Sequence, residues 1–146
     1  MVKKAFIGID TSNYTTSFAI CDLDGKILKN YKILLPVKEG ERGLRQSDAV
    51  FAHIKNLPLI AQKIKNDSET YDILAIGHSA YPRDAEGSYM PCFLVGEALS
   101  EILASLYMVD NYKFSHQAGH IRASVYSANI INNKSFIAFH VSGGTT

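Results

Sequence analysis

Cysteine is scarce in this chain. Cys21 and Cys92 are the only two among 146 residues, and they form neither a metal-type pair nor a disulfide framework. A reduced, cytoplasmic setting is the expectation that follows. An excess of charge of one sign is also missing. The chain has 15 Lys and Arg against 14 Asp and Glu, a formal net charge of +1. No global basic field therefore points to nucleic acid, and any such contact has to come from a local patch or from a partner. Long hydrophobic runs are absent too. The first apolar run, Ala5 to Ile9, is too short for a secretory segment and far too short to span a bilayer, so no membrane role is expected. There is no internal repeat and no low-complexity segment.

What is present is the composition of one globular domain, with 47% hydrophobic and 20% charged residues. Lys4 to Asp10 reads as a short apolar strand ending in a carboxylate. Thr15 to Cys21 reads as a second strand, Asp22-Leu23-Asp24-Gly25 as a hairpin turn, and Ile27 to Leu35 as a third strand stopped by Pro36. Val37 to Gln46 reads as a charged loop. Ser47 is placed to cap a helix over Asp48 to Lys65, which Pro58 should kink or divide. Asp72 to Gly77 is fully apolar and suits a parallel strand, and His78 to Met90 reads as a loop. Cys92 to Tyr107 has a broad apolar helical face carrying Leu94, Leu99, Ile102, Leu103 and Leu106. A short strand over Asn111 to Ser115, a helix over His116 to Asn129, a turn at Asn132-Asn133-Lys134 and a last strand over Ser135 to Val141 complete the order.

The order β-β-β-α-β-α-β-α-β predicts an α/β domain. It has a mixed sheet, antiparallel at its start, then strands each reached across a helix, with both faces covered. This is the pattern of the ribonuclease-H-like half-domain of the actin-like ATPase fold. The apolar run from Phe139 leads into Gly143-Gly144 and asks for a returning strand. Residues 1–146 are therefore expected to be the N-terminal lobe of a two-lobed protein.

Three stretches hold the candidate chemistry. Ser115-His116-Gln117-Ala118-Gly119-His120 sets two histidines four apart. On a helix they share one face and can chelate one metal ion, the spacing also used by the zinc-protease motif. Standing alone, the pair reads first as a helix cap and a surface residue. Asp10-Thr11-Ser12 ends the first strand, where open α/β sheets gather ligands. A carboxylate there suits a metal–nucleotide or an oriented phosphate, and a hairpin whose polar groups satisfy local backbone is the equal alternative. His140-Val141-Ser142-Gly143-Gly144 ends the last strand with glycines that let a backbone approach a phosphate or sugar. Cys92, at a helix start, reads as a core thiol before a reactive one. His53 reads as a satisfied structural histidine, and His78 as a strand-end site candidate.

Taken in register, these stretches resemble the TsaD/OSGEP family, formerly labelled O-sialoglycoprotein endopeptidase. Gly8-Ile9-Asp10-Thr11-Ser12 is similar to its G-I-E-T-S opening, His116 to His120 to its H-x-E-G-H, and Val141 to Thr146 to its V-S-G-G-H-T. Ala52-His53 to Leu57-Pro58-Leu59-Ile60 and Phe93-Leu94-Val95-Gly96 are similar to two of its helices. The resemblance implies transfer of a threonylcarbamoyl group to N6 of an adenosine next to the tRNA anticodon. It implies an iron or zinc ion on His116 and His120, with a third ligand, an Asp, from farther along a full-length chain. It also implies ATP or threonylcarbamoyl-adenylate against His140 to Gly144. By analogy the partners are tRNA, a smaller paralogue and an ATPase.

The departures are specific. Asp10 replaces the family Glu, and Asn13, Tyr14 and Thr15 replace its Cys-Asp-Glu. Ala118 stands where a Glu separates the histidines, and Thr145 where a His follows Gly-Gly. They make this a divergent paralogue. Its alternatives are a non-catalytic partner that works by pairing through its first helices, a sugar or acetate kinase half, and, ranked last, a metallopeptidase-like protein. A lobe alone is expected to be inactive.

Overall fold

The structure, a computed structural model, describes residues 2–37, 44–130 and 135–141. The strands are β1 (Lys3–Ser12), β2 (Thr15–Cys21), β3 (Ile27–Leu34), β4 (Tyr71–Tyr81) and β5 (Asp110–Ser115). The helices are α1 (Gln46–Asp67), α2 (Phe93–Tyr107) and α3 (His116–Ser127). The strands form one sheet in the order β3-β2-β1-β4-β5. β1 and β2, and β2 and β3, are antiparallel, whereas β1 and β4, and β4 and β5, are parallel. This is the mixed α/β sheet of the ribonuclease-H-like half-domain. Among the described residues, no helix is long and apolar enough to cross a membrane.

Alternation creates the core. Ala5, Ile7, Ile9 and Thr11 of β1 point to one face, and register places Ile20, Phe18 and Thr16 of β2 and Ile76 and His78 of β4 beside them. α2 lies on this face along β1 and β4. Its buried residues Phe93, Gly96, Ser100 and Ala104 recur every three to four positions, so a stripe of mostly small side chains meets the sheet. Of the broad face expected, Leu99 and Leu103 pack against the core, whereas Leu94, Ile102 and Leu106 are exposed. The reason is spacing: the packed strip includes Gly96, and a large residue there would displace β1. Gly96 N–H donates to Thr11 Oγ1 at 3.0 Å, and that hydroxyl donates to the Cys92 carbonyl at 2.9 Å.

α1 lies on the same face, against β2 and β3, and is fixed by His53. This ring is fully buried. Its Nε2–H donates to the Ser12 carbonyl at 3.0 Å, which leaves Nδ1 to accept from Thr16 Oγ1 at 2.7 Å. Asn56 Nδ2 donates to the same hydroxyl at 3.0 Å. His53 is therefore a satisfied structural histidine that holds the β1–β2 turn. His78 does a similar job under α2: its Nδ1 is 3.0 Å from Asn111 Oδ1 and 2.9 Å from Ser100 Oγ. The Asn111 oxygen only accepts, so Nδ1 carries the hydrogen. Among the described residues, Nε2 has no partner.

Several expected boundaries move. α1 starts at Gln46 after Arg45, and no side chain caps it, so Ser47 is not its cap. It runs unbroken through Pro58. The missing N–H deprives only the carbonyl of Ile54, a residue on the exposed side of the helix. β4 continues past Gly77 to Tyr81 because β5 extends the pairing through Ser79 and Tyr81. The expected last strand is not formed. Ser135 to Val141 has no regular structure, and Ile137, Phe139 and Val141 are exposed; a strand needs a ladder neighbour, and among the described residues none pairs with it. Nor are both faces equally covered. α3 buries no residue, and nothing lies within 4 Å of a Cβ built on the outward-facing Gly8. The loop segment 38–43, the turn at 132–134 and Ser142 to Thr146 lie outside the described residues.

Two glycines make opposite predictions. A Cβ on Gly96 would sit 2.8 Å from Thr11 Oγ1, which two hydrogen bonds hold in place. The resulting strain of about 1–3 kcal/mol exceeds the roughly 1 kcal/mol that Ala gains over Gly in a helix. Gly96→Ala should therefore lower the melting temperature. Gly119→Ala, with nothing within 4 Å, should raise it, and calorimetry of the two variants checks both signs.

The buried histidines predict an acid limit. Burial pushes both His53 and His78 below the ordinary imidazole value, against weaker opposing hydrogen bonds and acidic neighbours. Each stays neutral in the fold and gains a proton on unfolding, so the unfolded chain binds more protons as pH falls below about 6.5. Stability should be complete above that value and decline below it. Urea midpoints that stay flat from about pH 7.5 to 5.5 would contradict this.

Candidate functional site

On the sheet face opposite α1 and α2, the carboxyl end of β1 meets the start of α3. Asp10 is the even-numbered residue of β1 between Ile9 and Thr11, so alternation turns it away from the covered core. α3 begins immediately after β5, and its start is fixed by Ser115. This residue is buried. Its Oγ accepts from Ala118 N–H at 3.1 Å, an N-cap, and donates to Asp84 Oδ2 at 2.7 Å. The Gln117 N–H donates to the Pro82 carbonyl at 3.1 Å. The loop after β4 therefore grips the first turn of α3 by two separate bonds.

That grip places His116 over Asp10. His116 Nδ1 is 2.8 Å from Asp10 Oδ1, with both side chains about one-quarter exposed. The second carboxylate oxygen accepts from the Ser12 N–H at 3.3 Å. Phe93 lies beside the imidazole, with ring centroids 5.8 Å apart. One turn along α3, His120 Nε2 is 2.8 Å from His116 Nε2, and the rings meet edge to face with centroids 4.3 Å apart. His140 lies next to His120, centroids 5.1 Å apart. The row runs Asp10, His116, His120, His140.

The chemistry of this row follows from donor counting. The Asp10 carboxylate only accepts, so His116 Nδ1 carries a hydrogen and Nε2 faces His120. Burial pushes the Asp10 carboxyl up, but the hydrogen bond and charge of His116 outweigh it, helped by Ser79 and Ser12. The net result is below the ordinary carboxylate value. Burial first, and then the neighbouring His116 and His120-side charge of His140, hold the His120 imidazole low, with Asp10 opposing. Two imidazoles with Nε2 atoms 2.8 Å apart share either one proton or one cation. A carboxylate fixing the far nitrogen of a histidine is the usual support for a metal-bound imidazole. The donor set thus fits a borderline divalent ion such as iron or zinc. It supplies two ligands: among the described residues, no three His, Cys, Asp or Glu side chains converge as a metal site.

The other sequence candidates are distributed differently. Thr11 is completely buried on the helix-covered face, its hydroxyl committed to α2. Ser12 holds Asp10 through its N–H and His53 through its carbonyl. Val141 is exposed beside His140 in sequence, and Ser142, Gly143 and Gly144 lie outside the described residues. His78 is on the covered face, beside Ile9 in register, and so points away from Asp10. Cys92 is buried, and burial with the nearby Asp10 charge pushes its thiol up to about 11, which makes it inert. Residues missed from the sequence are Ser79, Pro82 and Asp84. The Pro82-Arg83-Asp84 turn signals a loop but not what the loop grips.

Comparison with known proteins gives fold and no closer relation. No protein-family model matches the sequence, and no curated protein matches it. Among solved structures, YeaZ from Pseudomonas aeruginosa superposes with a TM-score of 0.59 at 13% identity, covering 86% of this chain and 50% of that one. An uncharacterized protein with similarity to peptidase YEAZ, also from Pseudomonas aeruginosa, superposes with a TM-score of 0.60, again at 13% identity and with the same coverage. The chain spans about half the length of the structures it matches, and with them it shares the actin-like ATPase fold.

Proposed function

We propose that this chain belongs to the machinery of threonylcarbamoyl transfer to adenosine N6 in tRNA, as a divergent relative of the TsaD/OSGEP family, and that His116 and His120 hold its metal ion. The observation that supports this reading is the Asp10–His116–His120 row, with nitrogen and oxygen contacts of 2.8 Å each. A purely structural pair of surface histidines has no need of a half-buried carboxylate behind it. The fold shared with YeaZ is consistent with the reading, and so are the sequence motifs at the ends of β1 and at the start of α3.

Each residue has a defined task in this proposal. Asp10 orients His116 and fixes its tautomer. Ser115 and Asp84 hold the first turn of α3, so that His116 and His120 stay on one face. His140, Val141 and the glycines after them approach ATP or threonylcarbamoyl-adenylate. A bound iron or zinc would supply Lewis acidity to the carbamoyl carbonyl or the phosphate. The activity, with tRNA, a smaller paralogue and an ATPase as partners, belongs to the complete protein.

A second reading is favoured by one observation. α1 exposes Phe51 at 67% and Ile54 at 53%, and α2 exposes Leu106 at 73%. A non-catalytic paralogue that works by pairing through its first helices would present such a surface, and Tyr14 and Thr15 in place of acids suit it. The metallopeptidase reading fares worse, because Ala118 leaves no carboxylate between the histidines to activate water.

Metal content separates the two. Elemental analysis of the full-length protein should find about one iron or zinc per chain, and His116→Ala should remove it. A metal-free wild-type protein would sink the transferase reading and leave the pairing one.

A further inference from the structure

Resting on the reading of His116 as a site residue, we infer that Gln46 is a positioning residue for its imidazole, acting through the first turn of α2. Val37 to Gln46 reads as a charged loop in the sequence, but in the structure Gln46 is the first residue of α1. Its amide reaches two other elements at once. Nε2–H donates to Asn13 Oδ1 at 2.8 Å, in the turn between β1 and β2. Oε1 accepts from the Cys92 N–H at 3.3 Å, at the start of α2.

Periodicity puts the side chain there. Ala49, His53, Asn56 and Ile60 belong to the buried stripe of α1, and Gln46 extends that stripe toward the N-terminus. His53 holds the Ser12 carbonyl, so Gln46, about two turns earlier, meets the next turn residue, Asn13. The Cys92 end carries more weight. Cys92 is completely buried, and a backbone N–H there has no water to replace a missing acceptor. The carbonyl of the same residue accepts from Thr11 Oγ1 at 2.9 Å. One residue is thus held on its N–H side by α1 and on its carbonyl side by β1.

Phe93 follows at once, buried in a small core with Leu35, Ala49, Ala52 and Cys92. Its ring stands 5.8 Å from the His116 imidazole, centroid to centroid, at a tilt of 46°. Asp10 and Phe93 constrain that imidazole in different ways. The carboxylate fixes one nitrogen, and the ring limits rotation about that hydrogen bond. The place of Asp10 is set by β1. The place of Phe93 is set by where α2 starts, and Gln46 ties that start to the turn beside Asp10. A neutral amide that touches no site side chain therefore sets the orientation of a site histidine.

Side-chain nuclear magnetic resonance of the metal-free, full-length protein tests this. Gln46→Met removes both bonds at nearly constant length, whereas Gln46→Glu keeps an acceptor for the Cys92 N–H and puts a carboxylate at a helix N-terminus, where it is favourable. In Gln46→Met the His116 ring-proton resonances should shift and their cross-peaks to the Phe93 ring should weaken, while the His78 resonances stay in place. Thiol labelling read by mass spectrometry should accelerate about tenfold at Cys92 relative to Cys21, the change that loss of one ordinary hydrogen bond makes to a local opening. Gln46→Glu should keep the wild-type cross-peaks and labelling. Gln46→Ala carries the methionine expectations should that variant not fold. His116–Phe93 cross-peaks of wild-type intensity in Gln46→Met would overturn the inference, whatever happens at Cys92, and so would their equal loss in Gln46→Glu. Both readouts use metal-free protein, so they stand or fall separately from the metal content that decides the transferase reading.

Discussion

The hydrogen bond from His116 to Asp10 is the contact on which the candidate site depends. It joins residues 106 positions apart in sequence, the carboxyl end of β1 and the first turn of α3. Without it, the imidazole is free to take either tautomer, and the facing pair of Nε2 atoms is no longer defined. With it, one carboxylate sets a hydrogen on Nδ1 and leaves Nε2 to face His120. α3 needs this anchor because it has little else. It buries no residue, and its other fixed points are the Ser115 cap and the Pro82 carbonyl.

The opposite side of the sheet keeps Asp10 where it is. Ile9 and Thr11 flank it in β1 and are both locked into the core, Thr11 by its two bonds to α2. Ser12, next along, is held by His53 from α1. A β-strand alternates faces, so a core that fixes Ile9, Thr11 and the Ser12 backbone also fixes the direction of Asp10. The buried histidine His53 thus acts on the site through backbone position, although it touches no site side chain. That arrangement separates two kinds of polar group. His53 and His78 are sealed and structural, while His116, His120 and His140 are accessible.

The same alternation explains what was legible in the sequence. β2 has the limits its Thr15–Cys21 run indicates, because both of its ladder neighbours are local hairpin partners. The mixed sheet and the helix positions follow from the element order and from periodicity. Two features were not legible, since each depends on a distant neighbour. The buried stripe of α2 is Phe93, Gly96, Ser100 and Ala104, with Leu99 and Leu103 only partly buried beside it, because β1 demands close approach. The run from Ser135 to Val141 has strand composition yet no ladder neighbour among the described residues. In the site, the His116–His120 spacing is visible in one dimension, whereas the Asp10 support, the Asp84 grip and the His140 approach exist only after folding.

The central claim is that Asp10 fixes the His116 tautomer so that Nε2 faces His120 as a ligand. Long-range nitrogen–proton correlation spectra of the histidine side chains test it directly. The account predicts a protonated Nδ1 and an unprotonated Nε2 on His116 in metal-free protein at neutral pH. Zinc should then shift the His116 and His120 Nε2 resonances together, while those of His53 and His78 stay in place. A His116 imidazole carrying its hydrogen on Nε2, or Nε2 resonances that ignore zinc, would contradict it.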